Sequence, residues 1–391
     1  MFHLVLFGVV LSSVCRTPNF SKMPPSHHLW IDADPSGLVW TGLDCDDDLA
    51  ILVALGLNDT LSIEGLSICG GNAPLDHTWA DVHKLLDHAG SSIKPVRGYG
   101  WRSTMHVSRL WLRMLHWIAP DMQDSEDAAD AIIRASHAIP SLTILTLGPP
   151  TNLARALEKD PSLASRLHNV VMMGGELTGS RLDLNFVTDR GAARTVVDAN
   201  VPVTLVTIQL CAQAIIDKDF VARLERDCCP DAAACSIMPK MKQQVQMMPN
   251  LVNKAVATRL PEGSRWRISP NMENGFIPWD IIAVLVISNP ELFDEFEYHH
   301  VAFPQCEEVE PCDMTMNVMP FLDGLDPSNH SGIVQIPHLL RNETETLDLM
   351  YDLICKVPGQ GPPTRMMMGF LTQISTCVLG TLILSFLRLR L

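Results

Sequence analysis

Short apolar runs alternate along this chain with segments of helical spacing, and few folds accommodate that pattern. The runs are rich in β-branched residues and have the length of buried strands; they read HLWIDAD, LSIEGLSI, LTILTLG, NVVMMGG and VPVTLVTI. Helical patterns lie between them: DDLAILVALGL, WADVHKLLDHAG, EDAADAIIRASHA, TNLARALEKD and RGAARTVVDA. Strand–helix alternation is typical of a parallel sheet covered by helices on both faces. We therefore predict an α/β fold with a doubly wound, mainly parallel sheet flanked by helices, in a single large domain.

The composition indicates a large core and narrows the class of partner. Of the 391 residues, 47% are hydrophobic and 19% are charged, which is far from the profile of a disordered chain. The net charge of −15 disfavours nucleic acid as a partner, because the surface would repel phosphate, and favours a small neutral molecule or a cation. The 11 cysteines contain no CxxC pair or Cys/His zinc spacing. The sequence is compatible with a monomer or a homo-oligomer.

Apolar segments at both ends predict targeting and anchoring. Residues 1–27 contain an apolar run of signal-peptide length without a basic start, and are a candidate signal peptide or N-terminal extension. Residues 369–391 contain an uncharged stretch followed by two arginines, which is typical of a single-span membrane anchor. The main domain then covers 28–355 and a linker covers 356–368. A buried strand and a docked helix are the alternative interpretations of the two ends.

Four N-x-S/T sequons would be usable if the chain enters the secretory pathway. They begin at Asn19, Asn58, Asn329 and Asn342. Together with the two ends, they would place the main domain in a lumen or outside the cell.

An acidic loop follows the first predicted strand. It holds six carboxylates within 17 residues: Asp32, Asp34, Asp44, Asp46, Asp47 and Asp48. Like charges this close raise one another's pKa unless a cation offsets them. Oxygen donors without nearby histidines favour Ca²⁺ or Mg²⁺ over zinc. In a parallel sheet such loops gather at the carboxyl ends of the strands, where ligands bind.

The acidic loop has three other interpretations. An EF-hand that started at Asp44 would need Gly and Glu where Leu49 and Leu55 stand, so it is excluded. A phosphatase with an aspartyl nucleophile at Asp32 or Asp34 lacks obvious downstream partners but stays an alternative. A solvated acidic surface loop is the third interpretation.

Seven motifs occur in order and in register over roughly residues 28 to 350. They are the Asp32-Ala33-Asp34-Pro35 opening, the Asp46-Asp47-x-x-Ala50 helix start, Gly71-Asn72, LGPPTNLA around Thr151, MGGELTG from Met173, LDLN ending at Asn185, and PWD ending at Asp280. Together they resemble the inosine-uridine-preferring nucleoside hydrolase family. The resemblance implies a doubly wound α/β enzyme that holds one Ca²⁺ and hydrolyses the N-glycosidic bond of ribonucleosides.

The same resemblance implies roles for the acidic residues. Asp34, Asp47 and Asp280 would give carboxylate oxygens to Ca²⁺, and Thr151 its main-chain carbonyl. Such a set leaves room for water and two ribose hydroxyls, since Ca²⁺ accepts six to eight oxygens. Asp34 would also take a proton from the attacking water, and Asp32 would support the metal shell.

Further residues would bind the ribose, again by resemblance: Asp46, Asn72, Met173, Asp183 and Asn185. The ordinary alternatives are a turn residue for Asn72, a helix N-cap for Thr151 and a core residue for Met173. The sequence also departs from the family pattern, because extra residues separate Asp34 from Asp46 and because Asp183 stands where a Glu is usual.

Trp279 precedes Asp280 at a position where many pyrimidine-accepting relatives have an acidic His. An indole is not a useful acid, but it offers a large face for stacking on a leaving purine. We therefore predict a purine preference, with Trp279 as a catalytic residue and Trp40 or Trp101 as the opposing ring. His106 is an alternative acid, and Trp279 as a plain wall residue is the rival interpretation. A second functional hypothesis is a membrane-anchored protein that binds Ca²⁺ and nucleosides without turnover.

Overall fold

The computed structural model describes residues 27–38, 44–100, 127–177, 183–259, 268–303, 317–320 and 332–360. Over these residues the strands are β1 His27–Ala33, β2 Leu61–Ile68, β3 Val96–Arg97, β4 Leu142–Thr146, β5 Leu167–Met173, β6 Val203–Val206, β7 Ile216–Asp217, β8 Gly275–Phe276, β9 Phe293–Ala302, β10 Asn317–Pro320 and β11 Ile333–Leu340. The α-helices are α1 Asp46–Gly56, α2 Leu75–His88, α3 Ala128–Ala138, α4 Thr151–Lys159, α5 Leu184–Thr188, α6 Arg190–Asp198, α7 Ile208–Cys211, α8 Lys218–Asp227, α9 Met238–Met248, α10 Lys254–Arg259, α11 Trp279–Ser288 and α12 Glu343–Lys356.

Nine of the described strands form one sheet in the order β10-β9-β11-β6-β5-β4-β1-β2-β3. Neighbouring strands from β11 through β3 are parallel, whereas β9 runs antiparallel to both β11 and β10. The mainly parallel, doubly wound sheet predicted from the sequence is therefore confirmed, and the antiparallel end is a feature that the sequence analysis did not predict.

Side chains of the central strands alternate between two apolar layers. In β1, Leu29 and Ile31 pack on the layer that contains α1, α2, α11 and α12, whereas Trp30 packs on the layer that contains α3, α4 and α6. Because a strand buried on both faces must be apolar throughout, this packing explains the unbroken apolar runs of the sequence. Helices cover both faces of the sheet.

The connections place an open crevice beside β1. The chain leaves β1 towards β2 and β3 on one side and returns to β4 on the other. The loops after β1 and β4 therefore diverge to opposite faces, and at such a switch point the carboxyl ends of parallel strands leave room for a ligand.

Candidate functional site

Asp32 lies one residue before the end of β1 and ties three elements together. Its Oδ1 accepts hydrogen bonds from Ser67 Oγ at 2.6 Å and from Asn152 Nδ2 at 2.7 Å. Ser67 belongs to β2 and Asn152 to α4. Burial raises the pKa of Asp32 to about 7, against the opposing effect of these two hydrogen bonds. The position fits the supporting role that the resemblance implied.

Asp34, Asp47 and Asn72 are joined in one hydrogen-bonded set. The main-chain N–H of Asp34 donates to Asp47 Oδ1 at 2.9 Å, and Asn72 Nδ2 donates to Asp47 Oδ2 at 2.9 Å. The main-chain N–H of Asn72 donates to Asp34 Oδ2 at 2.5 Å. Asp34 and Asp47 are buried, and Asn72 is partly buried. Three residues predicted from separate motifs thus meet beside the end of β1.

Two glycines leave the space that the Asp34 carboxylate occupies. A Cβ on Gly71 would lie 1.9 Å from Asp34 Oδ2, and a Cβ on Gly148 would lie 2.4 Å from Asp34 Oδ1. Gly148 belongs to the loop between β4 and α4. The carboxylate is therefore held against backbone that follows β2 on one side and β4 on the other, which fixes its direction.

Asp46 and Asp47 open α1, and their carboxylates lie close to a third from Asp44. One oxygen from each of the three residues lies within 4.8 Å of the others. Asp44 was not among the residues assigned to the site from the sequence, although it belongs to the acidic loop. The closely spaced aspartates of the loop were the available signal in the sequence. Their spacing alone did not show which of the carboxylates lie together in the fold.

Asp280, in the first turn of α11, brings a distant part of the chain to the same space. Burial, followed by the negative charges of Asp46 and Asp47, holds the pKa of Asp280 well above its usual range. Burial likewise raises the pKa of Asp47 to about 7 and that of Asp34 well above its usual range. The carboxylates of this set therefore repel one another in a buried space.

Several oxygens of this set are buried and, among the residues that the structure describes, accept no hydrogen bond. They are Asp34 Oδ1, Asp44 Oδ1, Asp46 Oδ1 and Asp280 Oδ1. A buried carboxylate oxygen without a donor is costly, and a hard divalent cation is the group that satisfies several at once. The donor set therefore fits Ca²⁺ or Mg²⁺ by its chemistry.

Thr151 begins α4, three residues after Gly148. Its hydroxyl donates to Asp189 Oδ2 at 2.8 Å, and its main-chain N–H donates to Pro149 O at 2.7 Å. The side chain is thus engaged away from Asp34, and the main-chain carbonyl is the group of Thr151 that the predicted metal role requires.

Met173 and Asn185 meet at the carboxyl end of β5. Asn185 Nδ2 donates to Leu147 O at 2.5 Å and to Met173 O at 3.2 Å, and lies 3.4 Å from Met173 Sδ. These contacts fix the Asn185 side chain over the ends of β4 and β5. Both residues therefore lie at the same edge of the sheet as the acidic set.

Asp183 serves as the N-cap of α5. Its Oδ2 accepts from the N–H of Gly175 at 2.7 Å, and its Oδ1 accepts from the N–H groups of Asn185 and Phe186 at 3.0 and 3.4 Å. Burial raises the pKa of Asp183 to about 6, against these three hydrogen bonds. Its observed contacts are those of a capping carboxylate, a role that the sequence analysis did not assign to this residue.

A buried Glu176–Gln209 pair adjoins Asp183 and was missed by the sequence analysis. Gln209 Nε2 donates to Glu176 Oε1 at 2.5 Å, and the charge of Glu176 contributes to the raised pKa of Asp183. Glu176 lies within the MGGELTG motif, so its position in that motif was the available signal. Gln209 follows β6 and belongs to no motif.

Trp279 is the first residue of α11 and is partly buried against the layer that contains α1 and α2. Its main-chain carbonyl accepts a 3.5 Å contact from Cys211 Sγ. Trp279 therefore adjoins Asp280 as the motif required. Trp40 and Trp101, suggested as the opposing ring, and His106, the alternative acid, lie outside the described residues.

The predicted end segments also fall largely outside the described part of the chain, which begins at 27 and ends at 360. Within that part, no helix combines the length and the apolar character needed to cross a lipid bilayer.

The fold defines this chain as an α/β protein, and the buried carboxylates at the switch point of its parallel sheet are a candidate cation site. A family model described as inosine-uridine preferring nucleoside hydrolase matches residues 29–319. Because the match spans most of the chain, the protein belongs to that family, as the seven motifs indicated.

Similar proteins of known sequence or structure agree with this assignment. The pyrimidine-specific ribonucleoside hydrolase RihB of Escherichia coli is 26% identical over 200 residues, which cover 47% of this chain and 64% of RihB. The chain thus spans less than two thirds of the length of the curated relatives it matches.

Two solved structures share the fold. The plant nucleoside hydrolase PpNRh1 has a TM-score of 0.64 at 18% identity, with 85% of this chain and 99% of that one covered. The purine-preferring ribonucleoside hydrolase from Gardnerella vaginalis has a TM-score of 0.61 at 20% identity, with 84% and 98% covered.

Proposed function

We propose that this protein hydrolyses the N-glycosidic bond of ribonucleosides, with Ca²⁺ as cofactor, to free base and ribose. The observation that carries the proposal is the convergence of buried carboxylates whose oxygens lack donors among the described residues, at the switch point of a nucleoside hydrolase fold. This reaction needs a cation site with room for the two ribose hydroxyls. In a cluster with a purely structural role, hydrogen-bond donors would satisfy these carboxylate oxygens.

Ca²⁺ is the cation that the family resemblance implies, and every proposed protein ligand is an oxygen, as this ion prefers. Asp34, Asp47 and Asp280 would hold it by carboxylate oxygens and Thr151 by its carbonyl. When bound, such an ion lowers the pKa of water and orients the ribose hydroxyls. It would also offset the burial and the mutual repulsion that together raise the carboxylate pKa values.

Asp34 is the proposed general base. Its Oδ1 has no donor among the described residues, while its Oδ2 is anchored by the Asn72 N–H. One oxygen is thus fixed and the other is available to accept the proton of the attacking water. Asp32 supports this arrangement by tying β1 to β2 and α4.

The surrounding carboxylates also favour the bond cleavage itself. Loss of the base leaves positive charge on the ribose ring, as in other glycoside hydrolyses. Negative groups fixed at that position stabilise the transition state more than the neutral substrate. Asp46, Asn72, Asp183 and Asn185 would hold the ribose, with Met173 packed beside it. A deoxyribonucleoside would leave buried polar partners unpaired and be a poor substrate.

We infer a purine preference from Trp279. The indole at the start of α11 adjoins Asp280 and offers a stacking face instead of an acid. The similar proteins are named for specificities of both kinds, pyrimidine for RihB and purine for the Gardnerella vaginalis protein. The preference therefore rests on Trp279, and Trp279→His is expected to lower the ratio of kcat/KM for inosine to that for uridine.

The test of the proposed function is ribose release by the purified full chain. Inosine should yield free ribose, a chelator should abolish the release, and added Ca²⁺ should restore it. Asp34→Asn should lower kcat by at least about 100-fold, the size expected for loss of a general base. Deoxyinosine should be turned over far more slowly than inosine.

Asp219→Asn is the matched control, since it makes the same chemical change at an exposed residue of α8. It should leave kcat unchanged. Nucleoside binding without ribose release would overturn the proposed activity in favour of a binding protein, and phosphate release from a phosphoester would indicate a phosphatase.

A further inference from the structure

Three side chains that commonly bind metals meet at the antiparallel end of the sheet, on elements that contribute no residue to the acidic set. Glu297 and His299 lie on β9, and His338 lies on β11. Glu297 and His299 share a face because they are two residues apart on one strand. Glu297 pairs with Ile336, which is two residues from His338, so His338 lies on that face too.

The distances among the three side chains match those of a tetrahedral metal site. His299 Nε2 and His338 Nε2 are 3.0 Å apart, and Glu297 Oε2 lies 3.5 Å from the first and 3.6 Å from the second. Ligands bonded to Zn²⁺ at about 2.0–2.1 Å in a tetrahedron are separated by about 3.3 Å. The triangle formed by the three atoms has a circumscribed radius of about 2 Å, so one ion can be at bonding distance from all of them.

Burial of the three residues suits a fixed site with one open side. The His338 side chain is 1% exposed and that of His299 9%, whereas that of Glu297 is 43% exposed. Gln213 holds the His338 segment: its Nε2 donates to His338 O at 2.7 Å, and its Oε1 accepts from the Leu340 N–H at 3.0 Å. Two ligands are therefore positioned by the fold, and the exposed carboxylate gives an ion access from solvent.

We propose that Glu297, His299 and His338 bind a Zn²⁺ ion that cross-links β9 to β11. Two imidazoles and one carboxylate form a donor set that suits zinc, whereas Ca²⁺ prefers oxygen alone. Three protein ligands leave the fourth position for water from the open side. A direct hydrogen bond between the two imidazoles would account for the 3.0 Å contact without a metal. Titration with Zn²⁺ distinguishes this alternative from a metal site.

The experiment is calorimetric titration of the untagged full chain with ZnCl₂ in the presence of saturating Ca²⁺, so that the acidic set is already filled. One Zn²⁺ should bind per chain. Glu297→Gln and His338→Gln should each weaken that binding at least about tenfold, because each removes one of three ligands. Zn²⁺ should raise the melting temperature of the wild-type chain more than that of either variant, since ligand binding stabilises the folded state.

His300→Gln is the matched control, because His300 neighbours His299 on β9 but points to the other face. It should bind Zn²⁺ with unchanged affinity. If His338→Gln does not fold, the exposed Glu297→Gln decides the question. Absence of binding by the wild type, unchanged binding by Glu297→Gln, or an equal loss in His300→Gln would each overturn the proposal.

Discussion

At the scale of single residues, the direction of the Asp34 carboxylate depends on the absence of side chains around it. We expect Gly148→Ala to weaken Ca²⁺ binding about tenfold, or about 1.4 kcal/mol, because the new Cβ would lie 2.4 Å from Asp34 Oδ1 and must displace it. Gly100→Ala is the matched control, since the nearest atom to its new Cβ, on Leu75, is 3.8 Å away. Calorimetric titration with CaCl₂ measures both variants. Equal affinity in the two would show that Asp34 is not held in place by this contact.

A second residue-scale prediction concerns pH. Burial raises the pKa of Asp47 in the metal-free protein to about 7, from 3.8 in the unfolded chain. Between about pH 4 and pH 7, Asp47 is therefore protonated in the folded state and ionised in the unfolded chain. The stability of the metal-free protein falls as pH rises through this range. Ca²⁺ competes with the same proton, so Ca²⁺ affinity should rise over that range.

Melting temperatures in EGTA and in CaCl₂ test this pH dependence. The stabilisation by Ca²⁺, taken as the difference between the two at each pH, should be larger at pH 7.5 than at pH 5.5. A difference that is constant with pH, or that shrinks as pH rises, would contradict the assignment of buried titrating carboxylates to the cation site.

Sequence predicts the residues of the site best where a motif directly follows a strand. Asp34 and Asn72 come just after β1 and β2, so the parallel sheet itself brings them together. The Glu176–Gln209 pair could not be predicted in this way, because it depends on how the loops after β5 and β6 pack. The ligand and substrate roles of the site residues stay predictions until the assays above are done.

At the scale of elements, local pattern predicted the parallel core closely. The runs LSIEGLSI and TNLARALEKD correspond to β2 Leu61–Ile68 and α4 Thr151–Lys159. The strands at the antiparallel end escaped prediction because their sequences mix polar residues with the apolar ones: β9 reads FDEFEYHHVA, with acidic residues and histidines, and its neighbour β11 reads IVQIPHLL, with a proline and a histidine. Their pairing is specified by contacts between distant segments, which periodicity does not report.

A disulfide joins the last described helix to a distant part of the chain. Cys228, at the end of α8, is bonded to Cys355 in α12 across 127 residues, and Cys229 is bonded to Cys235 across six. The chain-entropy relation gives about 5 kcal/mol for the longer loop and about 2 kcal/mol for the shorter. We expect the Cys228→Ser, Cys355→Ser double variant to lose more free energy of unfolding than the Cys229→Ser, Cys235→Ser variant.

Urea unfolding of the two double variants measures this difference. The short-loop variant is the matched control, since it removes the same number of sulfurs from the same region. If the two variants lose equal stability, the loop between α8 and α12 is already ordered in the unfolded ensemble and the entropic account of this disulfide fails.

At the scale of the whole molecule, the chemistry of the cysteines bears on where the protein folds. Four of the described cysteines form two disulfides, and the other three, Cys45, Cys69 and Cys211, are free and buried. Disulfides persist in oxidising compartments. This agrees with the candidate signal peptide in residues 1–27, and we propose that the domain at 28–355 folds in the secretory pathway.

Glycosylation tests that proposal on two sequons of the described surface. Asn58 and Asn342 are exposed. Asn342 caps α12 by accepting the N–H groups of Thr344 and Glu345 through Oδ1, and a glycan on its Nδ2 would leave that cap in place. We expect the protein made in a eukaryotic secretory host to lose mass on treatment with an N-glycosidase. Asn58→Gln and Asn342→Gln should each remove part of that loss. A mass unaffected by the enzyme, with both sequons exposed, would argue that the chain does not pass through that pathway.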